Sequence, residues 1–256
     1  MRKAGLNMTG NNNIKNKKKV NTIKFSIANY MLQLVLPELQ AAYGHMIVSV
    51  YLQAALHINH QKKSGFKGTC FMSAKKYAEN IGCSVKTVNL CLNRLENIGL
   101  LEKQGVYNYN RFRVEELKNN SLPTKKEIVN FNDTVVNYIR NDETANVDRF
   151  DKFAAEIKKF LNVSGVCIAA NKFFDDVNLL RNWILEAEKI HRGSSLFFIT
   201  NIAPFLFKGR VHEEVDLSST SLKNRARRTG MSASTICRML YNYVDKGCLV
   251  DTNNVT

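Results

Sequence analysis

Shifted by 148 positions, the chain aligns with itself without a gap over Ser73 to Leu101 and Ser221 to Leu249, and nine of those 29 positions are identical. The identities are Ser73/Ser221, Lys75/Lys223, Ala78/Ala226, Gly82/Gly230, Ser84/Ser232, Thr87/Thr235, Leu92/Leu240, Gly99/Gly247 and Leu101/Leu249. The same shift sets the apolar run Met46 to Ile58 against Ser194 to Leu206, so a buried helix is expected at one distance upstream of each copy. Two copies of one supersecondary unit are implied.

The unit reads as helix, tight turn, helix and then a strand. Ser73 can cap a helix whose Tyr77, Ala78 and Ile81 face inward, and Ala78 is small enough for a close helix crossing. Gly82 suits a turn that a Cβ would penalise, and Ser84 can cap the next helix. Val88, Cys91, Leu92 and Leu95 then share one face, leaving Val85, Lys86, Asn89, Leu90 and Asn93 on the other. Gly99 ends that helix, Leu100 and Leu101 open a strand, and Tyr109 to Val114 return beside it around Gly105.

Between the copies, Phe150, Phe153, Ala154, Ile157, Phe160 and Leu161 repeat at helical spacing, and so do Phe173, Val177, Leu180, Ile184 and Ala187. Those apolar faces suit either a core or a dimerisation surface. A break at Lys118 to Lys126, containing Pro123, reads as a linker. With 256 residues the chain holds about two domains of ordinary size, and its 3 prolines leave long helices uninterrupted.

Charge narrows the partner. The chain carries 37 Lys and Arg against 22 Asp and Glu, net +15. Residues 1–114 hold 17 basic and 4 acidic side chains, whereas 115–190 are near neutral. Such a balance suits a polyanion, nucleic acid before a membrane surface. Residues 1–24, with Lys17, Lys18 and Lys19 adjacent, read as a basic disordered arm that touches phosphates or serves as a solubilising tail.

Other classes find little footing. No secretory signal and no bilayer-length apolar stretch is visible, so a cytoplasmic, nucleoid-associated chain is expected. Cys70, Cys83, Cys91, Cys167, Cys237 and Cys248 form no CxxC pair and read as small buried hydrophobes. His57 and His60 lack companions for a metal, Asp175 and Asp176 suit a helix start, and Ser194 and Ser195 suit a cap rather than a nucleophile elbow. No Walker or dinucleotide motif occurs, so no catalysis, cofactor or metal is expected.

The run SAKKYAENIGCSVKTVNLCLNRLENIGLLEK resembles the winged helix-turn-helix domains of bacterial and phage regulators and replication proteins, over Gly44 to Val114. SLKNRARRTGMSASTICRMLYNYVDKGCLV resembles the same family over Ser194 to Val250, but the remaining six residues are too few for a full second wing. The paired layout also resembles plasmid replication initiators, in architecture only. The fold implied is mainly α, with two winged-helix or helix-turn-helix domains, a small β-hairpin wing and a helical middle segment. Residues 25–117 would form the first domain, 118–126 a linker and 127–256 the helical segment with the second domain.

The resemblance implies double-stranded DNA as partner. Ser73, Lys75, Lys76, Ser84, Val85, Lys86, Thr87, Asn89, Leu90 and Asn93 would line the interface in copy one, Asn89 pairing adenine and Lys86 reaching guanine. Arg111 and Arg113 on the wing would meet phosphate or the minor groove, a plain solvated edge being the alternative. Copy two would contribute Lys223, Arg225, Arg227, Arg228, Ser232, Ser234, Thr235, Arg238 and Tyr241. A transcription regulator is the first role implied, with a homodimer and the transcription or replication machinery as further partners. A plasmid or phage replication initiator and a winged-helix protein-protein adaptor are the alternatives.

Overall fold

The computed structural model describes residues 25–58, 69–104, 111–114, 124–164, 171–206 and 221–246, and these are mainly helical. Strand β1 (Phe25–Ala28) leads through a π-helical turn (Met31–Val35) into α1 (Leu36–Tyr43), and Gly44 breaks the path before α2 (His45–Leu56). Strand β2 (Thr69–Cys70), helices α3 (Ala74–Ile81) and α4 (Val85–Asn97), and strands β3 (Leu101–Gln104) and β4 (Arg111–Val114) complete the first copy. Helices α5 (Lys125–Asn141) and α6 (Val147–Ser164) follow. The second copy then runs through β5 (Asn171–Phe174), α7 (Val177–Ile190), α8 (Ser195–Asn201), α9 (Ala203–Leu206), α10 (Leu222–Thr229) and α11 (Ala233–Asp245).

The repeat reaches further upstream than sequence identity showed. β1 and β5 pair antiparallel, with Phe25 opposite Phe174 and Ser26 opposite Phe173. Under the 148-residue shift the first of these pairs becomes the second, so the ladder maps onto itself. The helices agree: α1 packs against α10 while α3 packs against α7, and α2 meets its counterpart α8. Reciprocal contacts of this kind are the mark of a twofold interface, here within one chain.

Side-chain roles are repeated as well. Arg94 stacks over the Tyr43 ring at 4.7 Å in the first copy, and at the equivalent positions Asn242 hydrogen-bonds the His191 ring at 2.9 Å. Buried Gln40 and Gln53 correspond to buried Glu188 and Asn201. Glu188 knits the copies together at their interface: Ser49 Oγ of α2 donates to its carboxylate at 3.0 Å, as do the Gly193 N–H at 2.7 Å, the Ser195 N–H at 2.9 Å and the Ser195 hydroxyl. One apolar cluster is continuous from Ile27 through Tyr77, Val88 and Leu92 to Phe197, Ile236 and Tyr243.

Several expectations change here. Phe173 lies in β5 rather than in the following helix, which starts after Asp176 has capped it through the Asn178 and Leu179 N–H groups. Alternating burial, with Phe173 exposed and Phe174 buried, belongs to a strand. Ser194 stands before α8 in helical conformation and its side chain makes no cap, while Ser195 is taken by Glu188. Cys70 and Cys91 are buried as expected, but Cys83 is half-buried and Cys237 is exposed. Cys167, Cys248, His60 and residues 1–24 lie outside the described residues. Of the expected linker, 118–123 also lie outside, and Thr124 instead caps α5 in a reciprocal box with Glu127.

Candidate nucleic-acid interface

In the first copy the turn between α3 and α4 is built as the sequence implies. Ser73 Oγ accepts from the Lys76 N–H at 3.2 Å, and Ser84 Oγ accepts from the Thr87 N–H at 3.1 Å. Gly82 takes the left-handed conformation, φ 73°, and closes α3 onto the Ala78 carbonyl. Beneath the turn, Tyr77 is 0% exposed and its hydroxyl meets Cys70 Sγ at 3.3 Å, which ties α3 to β2. Burial pushes both the tyrosine and the thiol upward, so neither ionises near neutrality.

That buried side fixes what α4 turns outward. Val88, Cys91, Leu92 and Leu95 fill the core, and Ser84, Val85, Lys86, Asn89, Leu90 and Asn93 are exposed. Lys75 and Lys76 stand on the neighbouring α3. Lys76 reaches Glu79 at 3.3 Å, but both partners are more than half exposed, so water and salt leave this pair little strength. Thr87 is half-buried and its hydroxyl joins the Ser84 hydroxyl at 2.9 Å, making it part of the cap and not of the outward face.

The strands complete this arrangement. β4 lies between β2 and β3, with Arg113 opposite both Thr69 and Glu102 and Arg111 opposite Gln104. The order α2, β2, α3, α4, β3, β4 thus places the two helices between strands of one small antiparallel sheet. The side chains of Arg111 and Arg113 lie outside what is described.

The second copy keeps the frame and spends its charge differently. Ser221 and Ser232 cap α10 and α11 as their counterparts do, and Thr235 again joins the cap, 2.8 Å from Ser232 Oγ. Gly230 is left-handed at φ 67°, and an added Cβ would stand 2.2 Å from the Pro37 carbonyl oxygen, so this position has no room for another residue. Lys223, Ser232, Ser234, Arg238 and Tyr241 are exposed, and Arg228 is half-buried.

Arg225 departs from expectation: it is 3% exposed and cannot face a duplex. It occupies the position of Tyr77, which packs inward, and the repeat itself carried that signal. Arg227 turns to Glu156 of α6 at 3.4 Å and to Asn224 at the same distance. Arg149 of α6 donates to the Gly230 carbonyl at 2.9 Å, so α10 is fastened between α1 and α6.

One cation was not anticipated. Arg192, exposed in the loop after α7, lies against the α3–α4 turn, its Nε 3.4 Å from where a Gly82 Cβ would be. No spacing in the sequence points to it, because the twofold packing brings it there from the other copy. Nearby histidines are held neutral. Burial lowers His57 despite its bond to the Gln53 carbonyl, with Arg181 and Lys76 adding to the effect, and burial followed by the Arg238 charge lowers His191.

Among the described residues no group of three His, Cys, Asp or Glu could hold a metal, and no helix is long and apolar enough to cross a membrane. The outward surface offers ammonium, guanidinium, amide, hydroxyl, thiol and apolar groups on two capped helices, which supply hydrogen bonding and charge. Comparison with protein-family models, curated proteins and solved structures finds no match.

Proposed function

We propose that the chain binds double-stranded DNA in a sequence-specific way, the first copy being a winged helix that lays α4 in the major groove. The observation that carries this reading is the outer face of α4, where Lys86, Asn89 and Asn93 stand exposed between Val85 and Leu90, with Lys75 and Lys76 beside them. Amides and ammonium groups on one helical face match base edges, and flanking lysines match phosphates. The sheet order β2–β4–β3 around the helix pair supports the winged-helix assignment. The second copy would join as a helix-turn-helix through Lys223, Arg238 and Tyr241, with Arg192 and the wing arginines as phosphate contacts. The biological role that follows is transcription regulation without catalysis, in the cytoplasm. A replication initiator is the second reading, favoured by the union of two copies in one twofold body.

Fluorescence anisotropy on a labelled duplex across a salt series tests the reading. Four or more phosphates engaged give a log-log slope steeper than about −3.6, since each contributes roughly −0.9. A flat response overturns DNA binding and leaves a protein-protein adaptor.

A further inference from the structure

We infer that α4 reads thymine methyl groups through Val85 and Leu90, so the DNA beneath it is an A·T-rich half-site. The inference rests on the proposed DNA binding and adds to it the base class read by the first copy.

Val85 is 43% exposed and Leu90 49%, and neither belongs to the apolar cluster that α4 buries. An α-helix turns about 100° and rises about 1.5 Å per residue, which sets these side chains about 140° apart around the axis and about 7.5 Å apart along it. Asn89, Asn93 and Lys86 fall between them. A protein partner would want the two apolar groups contiguous, but here they are the borders of a polar strip with lysines around it. The major groove has that pattern: a thymine presents its C5 methyl beside an acceptor, and its paired adenine offers the donor and acceptor that an asparagine amide satisfies together. Asn89 on the adenine with Val85 and Leu90 on neighbouring thymine methyls uses all three residues at once. The equivalent positions in α11 are Ala233, Cys237 and Arg238, which offer less apolar reach and a guanidinium suited to guanine.

The test is the exchange of thymidine for deoxyuridine, which removes the methyl and leaves every hydrogen-bonding group in place. On a duplex selected from a random pool with the full chain, single exchanges should weaken binding about fourfold at two positions of one half-site, the ratio that burying one carbon group corresponds to. Val85→Ala should abolish the effect at one of those positions and Leu90→Ala at the other. Both sites are exposed, so the variants should melt like the parent. Uniform indifference to the exchange in a duplex that is still bound specifically overturns the inference and leaves DNA binding intact. Sensitivity that persists unchanged in both variants also overturns it. If no duplex is bound above background, the proposed function itself fails, and the inference with it.

Discussion

The two copies share their caps, their left-handed glycines and their twofold contacts, yet they use the first helix of the turn in opposite ways. In α3 the inward position is Tyr77, and the cations Lys75 and Lys76 remain on the surface. In α10 the same inward position is Arg225, and Arg227 pairs with Glu156, so much of the helix's charge is drawn into the protein. Net charge on a segment therefore does not measure what it offers a partner. Copy one has the neutral core and the free charge. Copy two has a charged residue in its core, and the exposed side of α11 carries Arg238 and Tyr241 among small residues, with Lys223 beside them on α10.

Separating the copies should have the largest effect. Because α1 lies on α10, α3 lies on α7 and one apolar cluster joins them, a fragment of residues 25–117 should lose cooperative unfolding, whereas the whole chain should melt in a single transition. Circular dichroism on both would decide it, and a folded fragment would refute the shared core.

Next in size is a difference at equivalent carboxylates. Glu186 is exposed and pairs with Lys189 at 2.6 Å, whereas its counterpart Glu38 is buried, and desolvation raises its pKa to about 8. The folded protein therefore keeps a proton there that the unfolded chain releases near pH 4.5. Glu38's contribution to stability should fall as pH rises from 4.5 to 8, by up to about 5 kcal/mol over the full window, read in urea melts as the difference between the parent and Glu38→Gln. The neutral histidines act on the acid side. His45, His57 and His191 are all lowered chiefly by burial, so their contribution is lost as pH drops below 6.5.

A third comparison lies at the interface of the copies. Glu188 satisfies donors from both copies, while neither side-chain end of its counterpart Gln40 has a hydrogen-bond partner. Glu188→Leu should cost about 3 to 5 kcal/mol and Gln40→Leu less than about 1, measured by chemical unfolding. Equal costs would show that the buried polar positions are not used as differently as their geometry indicates.

Much of this was legible in the chain. Caps and turn glycines are local signals, and Ser73, Gly82, Ser84, Ser221, Gly230 and Ser232 all do what their types imply. The β1–β5 ladder was not, because it joins segments nearly 150 residues apart and each strand is too short to show its own period. Phe173 fitted a helical spacing by coincidence with the apolar face of α7. The charge of Arg225 suggests exposure, but its alignment with the inward Tyr77 places it inside. Arg192 could be found only from the packing.

Smaller effects should separate α4 from α11. Asn89→Ala should lose about 1 to 3 kcal/mol of discrimination in one half-site, and Arg238→Ala about 1 kcal/mol in the other. Competition anisotropy with single-base variants of the selected duplex would show whether the losses fall in different half-sites and add.

In the proposed mode of binding, one chain carries two unlike readers in twofold relation. A hydroxyl-radical footprint on the selected duplex tests it most directly, with the number of chains per duplex fixed by sedimentation. One chain should be bound, with two protected patches about 10 to 10.5 base pairs apart, or a multiple of that spacing, the patch under α4 rich in A·T pairs. A single patch under one chain, or two patches that appear only when two chains bind, would contradict it.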